Sequence, residues 1–399
     1  MLQDRFYDGH NGAKHFQDIR EAYLRGAKHM KKWALTGLVF AMVGMLFSLT
    51  ASAASKPPTF VSVVMDGKKI WFPDAQAFID ANGRTLVPVR FVAESLGAKV
   101  GWESKTQTVP ISRGDQAIVL TIDQNIVQVN GKEVTLDTKA ILSGGRTFVP
   151  LRFVSEVLGA KVEWDNPTAT VFIKTSENSE VELDQWGRLI RTTNLPKNAS
   201  DYPYILADAP NEMYEMGYPY SSQKNSKVSS VLYLTIPEFN KHNVDIWMSR
   251  LKTFGALWLN VDYSTIDDSW AQAVFAVKVQ SSQSELRYIR QYVDWVKENK
   301  IQIEGYLDPE PSMIYRNGFG DNFVRSKFRI KFVSYKESKD LLYDEHFPKN
   351  QTFEKGTWYE GYADISLSTN VGGDWGSTLK VSPSASLFYH HVIRKAVSE

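Results

Sequence analysis

Hydrophobic and polar positions follow two different rhythms along this chain, and the change falls near residue 180. Before it, short apolar runs of strand length alternate with turn dipeptides. Val63, Val64 and Ile70 lie around Asp66-Gly67, and Ile126, Val127, Val129 and Val134 lie around Asn130-Gly131. Both dipeptides favour the positive φ angles of a tight hairpin. Each hairpin leads into an extended Gly-Arg-Thr-Φ-Val-Pro segment, in which Pro88 or Pro150 holds the preceding valine in β geometry. The period then becomes helical. Phe91, Val92, Ser95 and Leu96 share one face, and Gly97 or Gly159 takes the C-cap position. Return strands begin at 99–102 and 161–164. Each unit therefore predicts hairpin, strand, short helix, strand.

Beyond residue 182 the patterns are longer. Val244, Trp247, Met248, Leu251 and Phe254 form one helical stripe, and Leu286, Ile289, Val293 and Val296 form another behind a Ser-rich capping region at 281–284. Residues 231–236 and 301–306 read as strands. Residues 324–333 and 358–367 alternate with period two. In the first of these, Arg325, Lys327, Arg329 and Lys331 point one way, and Val324, Phe328, Ile330 and Phe332 the other. In the second, Glu360 and Asp364 share a face with Trp358 and Tyr362. A stack of like charges repels, and opposite charges on the adjoining strand relieve it by ~0.2–1 kcal/mol per pair. The two strands are thus predicted to be neighbours, with charged faces aligned and apolar faces on a core that includes the second helix.

The front half is a duplication. Residues 83–102 return as 145–164 without a gap, and the two stretches share 15 of 20 positions. The expected fold class is α+β: tandem hairpin/strand/helix/strand units over 58–174, then a larger α+β domain over 183–399 with a curved antiparallel sheet packed on helices. Within the repeats, Arg84, Arg146, Arg90 and Arg152 beside Glu94 and Glu156 read as internal ion pairs rather than an anion site. Trp102 and Trp164 read as core or hairpin filling rather than ligand stacking.

Residues 1–53 form a leader. Seven Lys/Arg and four acids lie in 1–33, an uncharged apolar run follows to about 49, and Ala51-Ser52-Ala53 is a cleavage signature. Export with cleavage near Ala53 is expected, and an uncleaved leader would instead anchor the chain in a membrane. Met30-Lys31-Lys32 is a normal start for such a leader, with 1–29 either a long n-region or a misassigned upstream start. The chain has no cysteine and a net charge of +1. Disulfides, thiolate metal sites and thiol nucleophiles are excluded, and no global signal for nucleic-acid binding exists.

The duplicated pattern behind a leader resembles the copper amine oxidase N-terminal-like (stalk) domain of exported bacterial proteins, over roughly 58–174. The resemblance implies a small α+β accessory module on the cell exterior, and the stalk is not where that family's oxidase chemistry takes place. Amine oxidases require three copper-binding histidines and a tyrosine within Asn-Tyr-Asp/Glu. Here the nearest string is Asn260-Val261-Asp262-Tyr263, and only His242, His346, His390 and His391 follow the leader. Copper oxidase activity is therefore rejected, and no metal or cofactor is expected.

The chemistry then rests on the second half, which holds seven of the 11 tryptophans and 16 of the 18 tyrosines. No G-x-S-x-G, P-loop, G-x-G-x-x-G or H-E-x-x-H occurs. Asp308 and Glu310, after the strand ending near Tyr306, are candidate acid–base carboxylates. Pro309 and Pro311 favour a simple turn instead, and Asp267-Asp268 reads as an N-cap. Trp358, Tyr362, Trp375 and Tyr389 are candidates for a sugar platform, and Arg325, Lys327, Arg329 and Lys331 for contact with an anionic wall polymer. The leading expectation is a secreted, non-enzymatic envelope protein whose stalk presents a domain that binds a wall polymer or another envelope protein. The alternative is a secreted hydrolase with its site in 183–399. A pocket gathering Asp308, Glu310 and aromatic side chains would favour the enzyme.

Overall fold

Val87 and Val149 are equivalent positions in the two repeats. In the computed structural model they face each other across an antiparallel ladder, with Leu86 opposite Pro150 and Pro88 opposite Phe148. Each copy thus presents the same surface to the other, about a local two-fold axis. The structure describes residues 59–397, apart from 176–180, 217–226, 229–231, 233–234, 281–282, 318–319, 338–341, 345, 349–350, 374 and 390. The leader and part of the expected capping region at 281–284 lie outside the described residues.

The first copy runs β1 (Ser62–Met65), β2 (Lys68–Lys69), β3 (Phe78–Ile79), β4 (Thr85–Pro88), α1 (Val89–Ser95), β5 (Lys99–Val100), β6 (Thr108–Arg113) and β7 (Gln116–Thr121). The second runs β8 (Ile126–Val129), β9 (Lys132–Thr135), β10 (Ile141–Ser143), β11 (Arg146–Pro150), α2 (Leu151–Val157), β12 (Lys161–Asp165) and β13 (Thr170–Lys174). Both hairpin dipeptides carry the positive φ their sequences favour. The copies are interlaced. Strand orders are β10-β11-β4-β3, β12-β13-β1-β2 and β5-β6-β7-β8-β9. Each hairpin therefore joins return strands of the other copy, and β1 runs parallel to β13. Neither copy has a complete sheet without its partner, and a single core draws on both, including Val87, Val92, Val149 and Val154.

One expectation about the repeat helix is corrected. Its buried face is Val89, Val92, Ala93 and Leu96, while Ser95 is exposed and its hydroxyl donates to the Phe91 carbonyl. The helix begins directly after Pro88, so Val89 sets the i, i+3, i+4, i+7 stripe.

The second half opens with α3 (Asn211–Glu215) and continues through α4 (Lys241–Trp258), α5 (Asp268–Val277) and α6 (Gln283–Asn299). Its sheet has the order β14 (Lys227–Val228), β15 (Gln302–Arg316), β16 (Asn322–Ser334), β17 (Trp358–Ser368), β18 (Lys380–Val381), with β19 (His391–Lys395) also on β17. The fold is α+β, with a curved antiparallel sheet. The predicted stripes of α4 and α6 are buried in one core with Phe328, Ile330, Ala363 and Ile365. Asp267 caps α5, accepting from the backbone N–H of Ser269 and Trp270. Of 231–236, Leu232 and Thr235 are helical rather than extended, and Val231, Tyr233 and Leu234 lie outside the described residues.

Asp308 to Pro311 do not form a turn. They lie inside β15, where pairing with β16 runs to Pro309–Ser326, breaks, and resumes at Ile314–Val324. A proline lacks the backbone donor, and a break in the ladder tolerates that loss. The two halves have separate hydrophobic cores, yet residues 56–399 pack as one compact unit.

Helix α4 reaches β15 at Gly255, where an added Cβ would stand 2.3 Å from Leu307 Cβ. Glycine-to-alanine in a helix interior normally stabilises by roughly 0.5–1 kcal/mol. Gly255→Ala is expected to reverse that sign and cost about 1–3 kcal/mol through overpacking; urea denaturation giving an unchanged or raised midpoint would refute the close packing.

Candidate functional site

The charged faces of β16 and β17 align in the predicted way, with Arg325 opposite Asp364 and Arg329 opposite Glu360. Arg325 and Asp364 form a forked pair, Nε–Oδ1 2.8 Å and Nη2–Oδ2 2.9 Å, with both side chains fully buried. Arg325 Nη1 also donates to the Met213 and Tyr214 carbonyls, and Tyr315 donates its hydroxyl to Asp364. Arg329 lies 3.5 Å from Glu360, and Lys331 2.5 Å from Glu304 on β15. Three of the four cations are thus paired with acids of the flanking strands, and Arg325 is covered by the 199–216 segment, whose Tyr202, Leu206, Met213 and Tyr214 pack on Tyr315 and Tyr362. Arg325 is closed to any polymer.

The aromatic candidates are dispersed. Tyr362 is buried, and burial pushes its hydroxyl up to about 12. Trp358 is half-buried, with Lys331 Nζ 4.8 Å and the Arg329 guanidinium 5.7 Å from its ring centre. Trp375 stacks on Trp247 and carries Arg316 over its ring. Tyr389 is exposed, edge-on to His346. They do not form one platform.

Asp308 and Glu310 belong to the seam between the halves. Lys69 on β2 places its Nζ 2.7 Å from Asp308 Oδ2, and its backbone N–H donates to Asp208. Arg188 forks onto Asp208 (2.6 and 2.9 Å) and reaches Glu310 at 3.2 Å, and Glu310 also accepts from the Ser312 hydroxyl. Leu189 N–H donates to the Gly67 carbonyl, and Tyr306 hydroxyl to that of Phe72. Lys327 Nζ lies 3.9 Å over the Trp71 ring. Burial pushes the Asp308 carboxyl up, but Lys69 and Lys252 outweigh it and hold it below the usual range. A general acid needs a pKa near the working pH and a free path to substrate. Asp308 stays ionised and paired, and Glu310 is buried against Arg188.

A cleft of about 290 Å³ remains along this seam. Asp308 borders it with Trp71 and Trp164, whereas Glu310 does not. Of the core or hairpin-filling role expected for the repeat tryptophans, the core part does not hold: Trp102, just past β5, is 41% exposed and Trp164, in β12, is 37% exposed. In the floor of the cleft, Lys252 Nζ donates to Ser62 Oγ and the Thr168 carbonyl, both at 3.0 Å. Desolvation lowers this lysine to about 8, against the attraction of Asp308. Sequence reasoning missed Lys69, Trp71, Arg188 and Lys252. A signal did exist for the first two. With the hairpins aligned, Lys69 and Trp71 of the first copy correspond to Glu133 and Thr135 of the second, so the copies differ where only one of them is covered.

The repeat arginines form ion pairs, with partners that differ in part from expectation. Arg90–Glu94 and Arg152–Glu156 are long surface contacts of 3.8 and 3.9 Å, while Arg84 pairs with Asp137 and Arg146 with Asp74. Among the described residues no cluster of His, Asp and Glu is arranged to hold a metal, and no helix is long and apolar enough to cross a membrane. His390 lies outside the described residues; His391 hydrogen-bonds the Phe388 carbonyl.

The fold is an interlaced duplicate docked by ion pairs onto a helix-backed sheet. Residues 64–173 match the copper amine oxidase N-terminal domain. The match covers the accessory domain alone; the catalytic domain of the copper amine oxidases is not found in this chain. A protein named "Protease inhibitor" from Brevibacillus choshinensis is 31% identical over 148 residues, covering 37% of this chain and 44% of that protein. The chain thus spans less than half the length of that relative. No solved structure matches it significantly.

Two predictions follow from the buried charges. Arg325→Met should lower stability by about 3–5 kcal/mol by stranding Asp364, and adding Asp364→Leu should recover much of the loss; equal losses in the single and double variants, read by chemical denaturation, would refute this. Lys252 holds its proton less tightly folded than unfolded, so between pH 8 and the start of tyrosine ionisation near ~10 the unfolded chain binds more protons. The wild type should therefore gain stability relative to Lys252→Met as pH rises through that window, on the order of 2 kcal/mol. A pH-independent difference between the two would remove the buried charge from the account.

Proposed function

We propose that the protein is exported and acts outside the cell as a non-enzymatic binding protein of the envelope, its stalk holding the C-terminal domain towards a wall polymer or another envelope protein. The observation that carries this reading is the use made of the best acidic candidates. Asp308 and Glu310 are tied to Lys69 and Arg188 in the seam that fastens stalk to domain, which suits support and recognition better than turnover. The accessory-domain match agrees with it, and the basic, apolar, Ala-x-Ala leader supports export.

The expected result is retention of the purified protein on peptidoglycan or teichoic acid at low salt, reduced by added salt. Absence of retention on both would count against wall binding. A mature N-terminus at Ala54 in culture supernatant would support export, and full-length protein held in the membrane fraction would oppose it.

A second reading, inhibition of a protease, is favoured by the name of the Brevibacillus relative. It is also binding without turnover. Stoichiometric loss of activity of a secreted endopeptidase on titration with the protein would select it. The hydrolase reading makes a different demand: activity on a wall substrate would have to vanish in Asp308→Asn and Glu310→Gln variants that still fold.

A further inference from the structure

We propose that the cleft between the stalk and the C-terminal sheet is a binding site for an anionic pyranose, with the sugar ring against Trp164 and the anionic group on Lys252. Three observations converge on it. The first is an incomplete charge. An ammonium has three N–H donors, and among the described residues Lys252 Nζ has two acceptors, the Ser62 hydroxyl and the Thr168 carbonyl, both uncharged. Asp308, the carboxylate in the same cleft, is committed to Lys69 at 2.7 Å. A cation held deep in protein without its own counter-ion is costly, and an anion entering the cleft would supply one. A second cavity of about 170 Å³ opens on another side of Lys252, where Arg188, Lys241 and Lys69 are each already paired with a carboxylate.

The second observation is the wall. Trp71 and Trp164 both border the cleft. Lys327 occupies one face of the Trp71 ring, whereas Trp164 keeps 37% of its surface exposed in a return strand. A flat apolar ring beside open space suits the C–H face of a pyranose. The third observation is the rim, where Gln76, Asn166 and Thr253 stand as uncharged hydrogen-bonding side chains. A volume of about 290 Å³ lies at the small end of ligand sites and suits one sugar unit. A carboxylate or a phosphate on that sugar would meet Lys252 through the same chemistry.

The proposal rests on reading the protein as a binding protein and assigns the place and the ligand class. The test is calorimetric titration of the full chain with glucuronic acid, glucose 6-phosphate, glucose and inorganic phosphate. One or both anionic sugars should bind about tenfold more tightly than glucose and than inorganic phosphate, the worth of one ion pair and one stacked ring. The tighter of the two identifies the anion. Trp164→Ala, at an exposed position that leaves the core intact, should weaken binding about tenfold, and Lys252→Gln should abolish the preference for the anionic sugars. Equal affinity for glucose, no heat with any sugar at millimolar concentration, or binding unchanged in Trp164→Ala would overturn the site. Retention on wall material that survives both substitutions overturns the cleft but keeps the binding function. Sugar binding without wall retention keeps the cleft and overturns the wall.

Discussion

The ion-pair seam between Lys69, Asp308, Arg188, Asp208 and Glu310 is the contact on which the rest of this structure depends. A carboxylate removed from water needs a cation brought to it, and the cost of burying either alone exceeds most single packing gains. Strand β15 carries acids where the sheet is covered, and their partners arrive from elsewhere: Lys69 from the stalk hairpin, Arg188 from the segment joining the halves. The stalk cannot lift off without leaving charges stranded. The same rule operates one strand further on, where Arg325 and Asp364 satisfy each other beneath the 199–216 segment. The sheet thus has one face sealed by helices through apolar packing and the other by charge pairing together with the apolar cover of the 199–216 segment.

This arrangement gives the duplication a second meaning. Interlacing makes the two copies mutually dependent, since each hairpin is completed by the other's return strands. Near-identity of the copies serves that symmetric contact. Their differences serve the asymmetric one, because among the described residues the first hairpin meets the C-terminal sheet and the second does not, and there Glu133 and Thr135 are replaced by Lys69 and Trp71. The repeated positions make the stalk, and the unrepeated ones fix what the stalk touches.

Local periodicity made much of the fold legible. The hairpin dipeptides, the repeat helices, the stripes of α4 and α6, and the pairing of β16 with β17 all follow from residue spacing, and the last also from charge complementarity between strands. What escaped was non-local. The parallel pairing of β1 with β13 leaves no mark in either strand's own pattern. Pro309 and Pro311 suggested a turn because local chemistry cannot reveal a ladder that breaks for four residues of β15 and resumes. Trp102 and Trp164 read as core or hairpin filling, although both keep more than a third of their surface exposed. Lys252 stands beside the buried Leu251 on α4, and nothing in the helix marks it as facing a cleft until the stalk is in place.

The partnership of β1 with β13 bears on how the chain is born. Strand β1, the first of the described residues, pairs with the last strand of the stalk, and the hairpin it belongs to is tethered to an acid on β15, further along still. Non-local pairing of this kind is slow, since loop closure precedes any reward from contact. A nascent chain therefore cannot complete its leading hairpin until the later strands have been made.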